Sequence, residues 1–124
     1  MGMGLRSLAK RLSTPIEEID RAKLQAFCAD RGQACAIADL EPRQNVVVVG
    51  EISTIRVVPH DGSPWLEAVI SDGKNSLVVM WTGRRAIPGI GPGRRLVVEG
   101  RAMPIGHGST RMRLMNPTYE LLAA

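Results

Sequence analysis

The sequence predicts an all-β domain: a small closed barrel of five strands preceded by a helical extension. Three observations predict it. Residues 46–58 form one long β-rich run, Val46-Val47-Val48-Val49 followed by Glu51-Ile52-Ser53-Thr54-Ile55-Arg56-Val57-Val58, interrupted only by Gly50. Three more strand-like segments and a short last one follow, each bounded by Gly, Pro or Asp. A glycine inside a long strand marks a bulge or a sharp bend, because a Cβ would clash there. The first strand is therefore expected to bend at Gly50 hard enough to serve two sheets.

The elements follow in order. In residues 1–12, Leu5, Leu8 and Leu12 fall at helical spacing among basic residues, which fits a brief amphipathic helix or a loose arm. Thr14-Pro15-Ile16-Glu17 reads as an N-cap, a first-turn proline and a capping box. The helix it opens is expected to run to about Arg31 and stop at Gly32. Its apolar face is Ile16, Ile19, Lys23, Ala26 and Phe27, widened by Leu24 and Cys28, and it either packs on the barrel or docks a partner. Residues 34–45 connect helix to barrel through the apolar anchors Ile37 and Leu40, so residues 1–42 form the extension and 43–124 the barrel.

Within the barrel, a turn-rich loop at 59–64 separates strand one from strand two at 65–71, where Leu66, Ala68 and Ile70 share a face opposite Trp65, Glu67 and Val69. Asp72-Gly73-Lys74-Asn75 signals a hairpin into strand three at 76–81, with Leu77, Val79 and Trp81 on one side. Asp72 is expected to shape that turn by accepting backbone N–H groups. The crossover 82–93 is too rich in Gly and Pro for more than one helical turn. Strand four spans 94–103 with Leu96 and Val98 inward, and strand five spans 110–115 with Met112 and Leu114 inward. The segment 116–119 closes the barrel, with Tyr119 expected to pin the tail.

Composition narrows the function. The 124 residues suit one domain, and the net charge of +4 leans toward polyanions. That charge is uneven: residues 84–124 hold seven arginines against Glu99 and Glu120, whereas residues 1–42 balance. Cys28 and Cys35 lack the spacing and the histidines of a zinc site and read as reduced thiols rather than a disulfide. No run approaches a membrane span, and residues 1–12 lack the apolar core of a secretion signal, so a cytoplasmic protein is expected. His60 and His107 stand in loops without a matching nucleophile. Gly89-Ile90-Gly91-Pro92-Gly93 lacks the Lys-Ser/Thr of a phosphate loop. No enzyme, cofactor or metal is expected.

Several short motifs, taken in order, carry a resemblance: Val47-Val48-Val49-Gly50-Glu51-Ile52, Ile70-Ser71-Asp72-Gly73, Val78-Val79-Met80-Trp81, 92–100 beginning Pro92-Gly93, and Asn116-Pro117-Thr118-Tyr119-Glu120. Over residues 40–121 the chain resembles OB-folds of the tRNA-anticodon/RecG-wedge type. It also resembles small stand-alone actinobacterial proteins described as OB-fold nucleic-acid-binding proteins, which carry a run like 81–93. The wedge stacks aromatic residues on branched DNA. Aromatics are only 3% of this chain, and helicase motifs are absent from it, so helicase activity is not implied.

OB-folds bind oligonucleotides on the face of strands two and three, between the one-two and four-five loops. On that basis Arg84, Arg85, Arg94 and Arg95 around the crossover, and Arg101, Arg111 and Arg113 on strands four and five, are candidate phosphate contacts. Trp65 is expected either to stack on a base or to lid the barrel end, and Trp81 to be either a platform at the strand end or core. The expected partner is single-stranded or structured DNA or RNA, bound with little sequence preference. The rival expectation is a non-catalytic protein-interaction module using the N-terminal helix or the Met-rich surface. Exposed edges of a partly open barrel also make a homodimer conceivable.

Overall fold

Apolar alternation along the chain builds a closed ring of strands in the computed structural model, which describes residues 15–29, 34–106 and 111–123, and only the backbone of 15–17. Helix α1 (Pro15–Ala29) and a 3-10 turn (Ile37–Asp39) precede β1 (Asn45–His60), β2 (Ser63–Ser71), β3 (Ser76–Thr82), β4 (Arg95–Pro104), β5 (Met112–Met115) and β6 (Thr118–Leu121). The ring runs β1-β2-β3-β5-β4, and β4 pairs back onto β1 to close it. Among the described strands, only β3 and β5 pair in parallel. This is the expected five-stranded OB-fold barrel with its helical extension.

Period-two burial makes the barrel interior. Val48, Ile52, Leu66, Ile70, Leu77, Val79, Leu96, Val98 and Leu114 are all fully buried. Each such side chain contributes on the order of 1.5–3 kcal/mol by leaving water. Ile37 and Leu40 join this core as expected, and Ile87 from the crossover plugs it without any helix.

Four expectations change. β1 does serve two neighbours, pairing with β4 through residues 45–51 and with β2 from Glu51 onward. Its register shift, however, falls between Ile52 and Thr54 rather than at Gly50. Gly50 instead permits a close crossing. A Cβ there would overlap Ile70 Cγ2 and lie 2.8 Å from Ser71 O, so only glycine lets β2 pass this near. Residues 118–121, read as a tail, form a sixth strand along β4, with Tyr119 opposite Val98. The loop at 59–64 is a two-residue turn, Asp61-Gly62 with φ +49° and +77°, and the strands extend to His60 and Ser63. Positive φ at both central residues is what an Asp-Gly hairpin turn requires.

The fourth change concerns α1, whose buried face is only the Leu24-Phe27-Cys28 part of the expected one. Ile19 is 52% exposed and Ala26 is exposed, while Leu24 is buried and Phe27 and Cys28 are half-buried. The cause is the seat. Gly73 (φ +92°) lies so close under α1 that a Cβ would sit 2.7 Å from Arg21 O and 3.0 Å from Gln25 N. The helix backbone therefore rides on the β2–β3 turn and turns Leu24 inward. Asp72 shapes that turn as expected, its Oδ1 accepting from the N–H groups of Lys74 (3.0 Å) and Asn75 (2.8 Å). Its Oδ2 also accepts from Ile37 N–H at 3.0 Å, tying the connector to the barrel. Neither Cys28 nor Cys35 is in a disulfide. No helix among the described residues is long and apolar enough to cross a membrane. The expected helix cap at Thr14 and the side chain of Glu17, the segment 1–12, the stop at Arg31-Gly32 and His107 lie outside the described residues.

Candidate nucleic-acid interface

The pleat that sends Leu66, Ala68 and Ile70 inward sends their neighbours to the outer surface, and the register fixes who stands beside whom. One outer row crosses Thr54, Val69, Val78, Arg113 and Met103, from β1 through β2, β3 and β5 to β4. The next row crosses Arg56, Glu67, Met80 and Met115. The third crosses Val58, Trp65 and Thr82, beside the β1–β2 turn.

Arg113 occupies the middle of this surface. It is half-buried between Val78 and Met103, and its Nε is buried with no hydrogen-bond partner among the described residues. Arg111 is exposed two residues earlier, its carbonyl accepting from Ile105 N–H at 2.9 Å. Arg101 is exposed on β4, two residues from Met103. The structure therefore brings Arg101, Arg111 and Arg113 into one diagonal strip across β4 and β5.

Arg84 and Arg85 reach the same surface from its other end. Gly83 N–H donates to Pro64 O at 2.8 Å, so the backbone that carries the exposed Arg84 and Arg85 leaves β3 beside the start of β2. Trp65 is half-buried and stands at the level of Thr82, whereas Arg113 stands at the level of Val78. Four residues of strand separate those levels, roughly 13 Å. Between the two basic groups lie the half-buried Val69, Val78 and Met115 and the pair Arg56–Glu67, while Met80 in the same row is buried. That pair is bidentate, at 2.9 and 3.2 Å, and Glu67 raises the Arg56 guanidinium further above its ordinary value by hydrogen bonding first and charge second.

Three expected site residues are placed elsewhere. Trp81 is not a platform. It continues the inward row of Leu77 and Val79, is 6% exposed, and donates its indole N–H to Pro117 O at 3.1 Å, with the Tyr119 ring edge-on at 5.8 Å. A base cannot reach it. Arg95 lies at the β1–β4 seam, paired to Glu51 at 3.4 Å and stacked over the Phe27 ring at 4.4 Å, so it holds α1. Arg94, though exposed, sits at the same seam, its backbone bonded to Ile52 at 2.9 Å.

Two residues join the surface that motif and charge alone do not single out. Arg43 is exposed and its N–H donates to Ala102 O, 2.6 Å, beside Arg101. It lies in a stretch whose net charge is slightly negative, so charge counting hides it. His60 packs its ring on Trp65, centroids 4.0 Å apart and planes tilted by 34°. The Asp61-Gly62 turn could have located it, because a two-residue hairpin fixes His60 opposite Ser63 and diagonal to Trp65.

No protein-family model matches the chain and no curated protein matches it in sequence. Among solved structures, that of RecG bound to a three-way DNA junction is similar over 68% of this chain, with a TM-score of 0.55 and 19% identity. The match spans 12% of the RecG chain. This likeness is one of fold, and it falls on the protein whose wedge-type OB domain the sequence motifs resemble.

Proposed function

We propose that this protein is a non-catalytic nucleic-acid-binding OB-fold protein that takes single-stranded or structured DNA or RNA across the outer face of β2, β3 and β5, with little sequence preference. The carrying observation is Arg113. Its Nε makes no hydrogen bond among the described residues, so the guanidinium is not tied to a carboxylate as Arg56 and Arg95 are, and a small outward shift of the side chain offers it to a phosphate oxygen. Arg101 and Arg111 beside it, and Arg84 and Arg85 across the face, supply further phosphate contacts in a line suited to a backbone. The half-buried Val69, Val78 and Met115 between them offer apolar contact that does not read base identity, which agrees with weak sequence preference. The likeness to RecG, whose structure is with a DNA junction, supports the same reading.

The second reading is a protein-interaction surface, favoured by the apolar row Val69–Val78 and the adjoining Met103 and Met115. A salt titration against a fluorescent 20-mer separates the two. Phosphate-driven binding weakens steeply and log-linearly as salt rises. Absence of binding at about 50 mM salt, where such contacts are strongest, sinks the nucleic-acid reading.

A further inference from the structure

The turn end of the candidate surface carries an aromatic arrangement that neither ring would make alone. His60 ends β1 and Trp65 stands diagonal to it on β2, both on the outward side of the pleat. Their centroids are 4.0 Å apart with planes 34° from parallel, so the imidazole covers part of the indole. The indole is half-buried, flanked by Val58 and Thr82 on the adjoining strands. The imidazole is the outer ring, its side chain 54% exposed, and Asp61 Oδ2 lies 3.5 Å from its Nε2. The Asp61-Gly62 turn sets the hairpin register, so the pair is built into the fold.

We propose that His60 and Trp65 form a composite platform for one unpaired nucleobase, in which the base stacks on the exposed imidazole face and the indole supports the imidazole from below. The inference rests on the nucleic-acid reading and deepens it, moving the stacking contact from Trp65 to His60. Its chemistry is ordinary: a flat π-surface is sequence-tolerant because every base has a π-face. Its position is suitable, since the exposed Arg84 and Arg85 directly follow Gly83, whose N–H is bonded to Pro64 O next to Trp65, and their long side chains offer a phosphate contact in that neighbourhood. The ligand class is therefore an unpaired base with a 5′ or 3′ phosphate, and a paired duplex stem offers it nothing to stack.

The test uses the full chain with two fluorescently labelled 20-mers, oligothymidine and a fully abasic deoxyribose-phosphate strand, at one low salt concentration. His60→Ala is expected to weaken oligothymidine binding roughly tenfold, the loss of one base stack, and to leave abasic binding within about twofold. His60→Phe is expected to restore oligothymidine binding. Without nucleic acid, Trp65 emission is expected to rise in His60→Ala, because the quenching imidazole is gone, over an unchanged background from buried Trp81. Emission unchanged in intensity and wavelength, together with unchanged accessibility of the indole to acrylamide, shows that the imidazole does not cover it and overturns the proposal. Unchanged oligothymidine affinity in His60→Ala, or equal losses on both strands, also overturns it while leaving the nucleic-acid reading standing. Failure of the unaltered protein to bind either strand removes that reading, and the platform with it.

Discussion

Arg95 and Arg113 are both half-buried arginines on the outer surface of adjacent strands, yet the fold uses them oppositely. Arg95, on β4, meets Glu51 at 3.4 Å and lies over the Phe27 ring at 4.4 Å. Its charge is spent within the molecule, in holding α1 to the barrel. Arg113, on β5, is flanked by Val78 and Met103 and has a buried Nε that nothing among the described residues satisfies. The difference lies in the neighbours. An arginine beside a carboxylate and an aromatic ring becomes a structural tie. One set among apolar side chains keeps its hydrogen-bonding capacity for a ligand. Seven C-terminal arginines that look alike by count therefore divide into an anchoring seam and an open face.

The largest expected effect tests that division directly. Reversing both Arg111 and Arg113 to Glu is expected to lower oligonucleotide affinity about a hundredfold. It should also flatten the log-affinity against log-salt slope by about 1.4, two phosphate contacts' worth on a single strand. Circular dichroism is expected to stay that of the folded barrel. An equal loss from reversing Arg94 and Arg95 would erase the distinction between seam and face.

Asp72→Ala acts on the anchoring side. Three backbone N–H groups, those of Ile37, Lys74 and Asn75, lose their acceptor. Exposure of the turn lets water replace some of these bonds, so the expected cost is about 2 kcal/mol, read from urea unfolding. Oligonucleotide affinity, measured where the protein is still folded, is expected to hold. A stability change below the scatter of the unfolding fits would mean that the connector is not tied through this carboxylate.

The smallest effect belongs to Arg95→Ala. Loss of one cation–π contact and one partly exposed ion pair with Glu51 is expected to cost about 1 kcal/mol, seen as earlier proteolysis of α1 and a slightly lower unfolding midpoint. Affinity should stay within about twofold, since Arg95 is not part of the proposed interface. A larger affinity loss would place Arg95 back among the phosphate contacts.

Much of the barrel was legible in the sequence because its causes are local. Period-two alternation in 65–71 and 76–81 predicts the inward rows, and Asp72-Gly73 predicts the hairpin whose carboxylate caps it. Trp81 shows where legibility stops. Alternation places it with Leu77 and Val79, but its fate depends on whether something covers the strand end. The Pro117 carbonyl and the Tyr119 ring do so, from 36 and 38 residues away. The face of α1 was read only in part for a related reason. Helical periodicity offers Ile19 and Ala26 as readily as Leu24, and the choice is made by the close approach of Gly73.

Whereas the facing of β1 turns on a register shift that the sequence misplaced, the five-stranded ring, the inward rows of the second to fifth strands and the concentration of arginine in the last third can all be read along the chain. They follow from pleat geometry, turn chemistry and counting, which need no knowledge of distant contacts. Which arginines are available, that Arg43 and His60 stand with them, and that Trp81 does not, are outcomes of a different kind. They depend on cross-strand register and on what packs against each side chain. In a closed barrel, both are set by pairings between residues far apart in the chain.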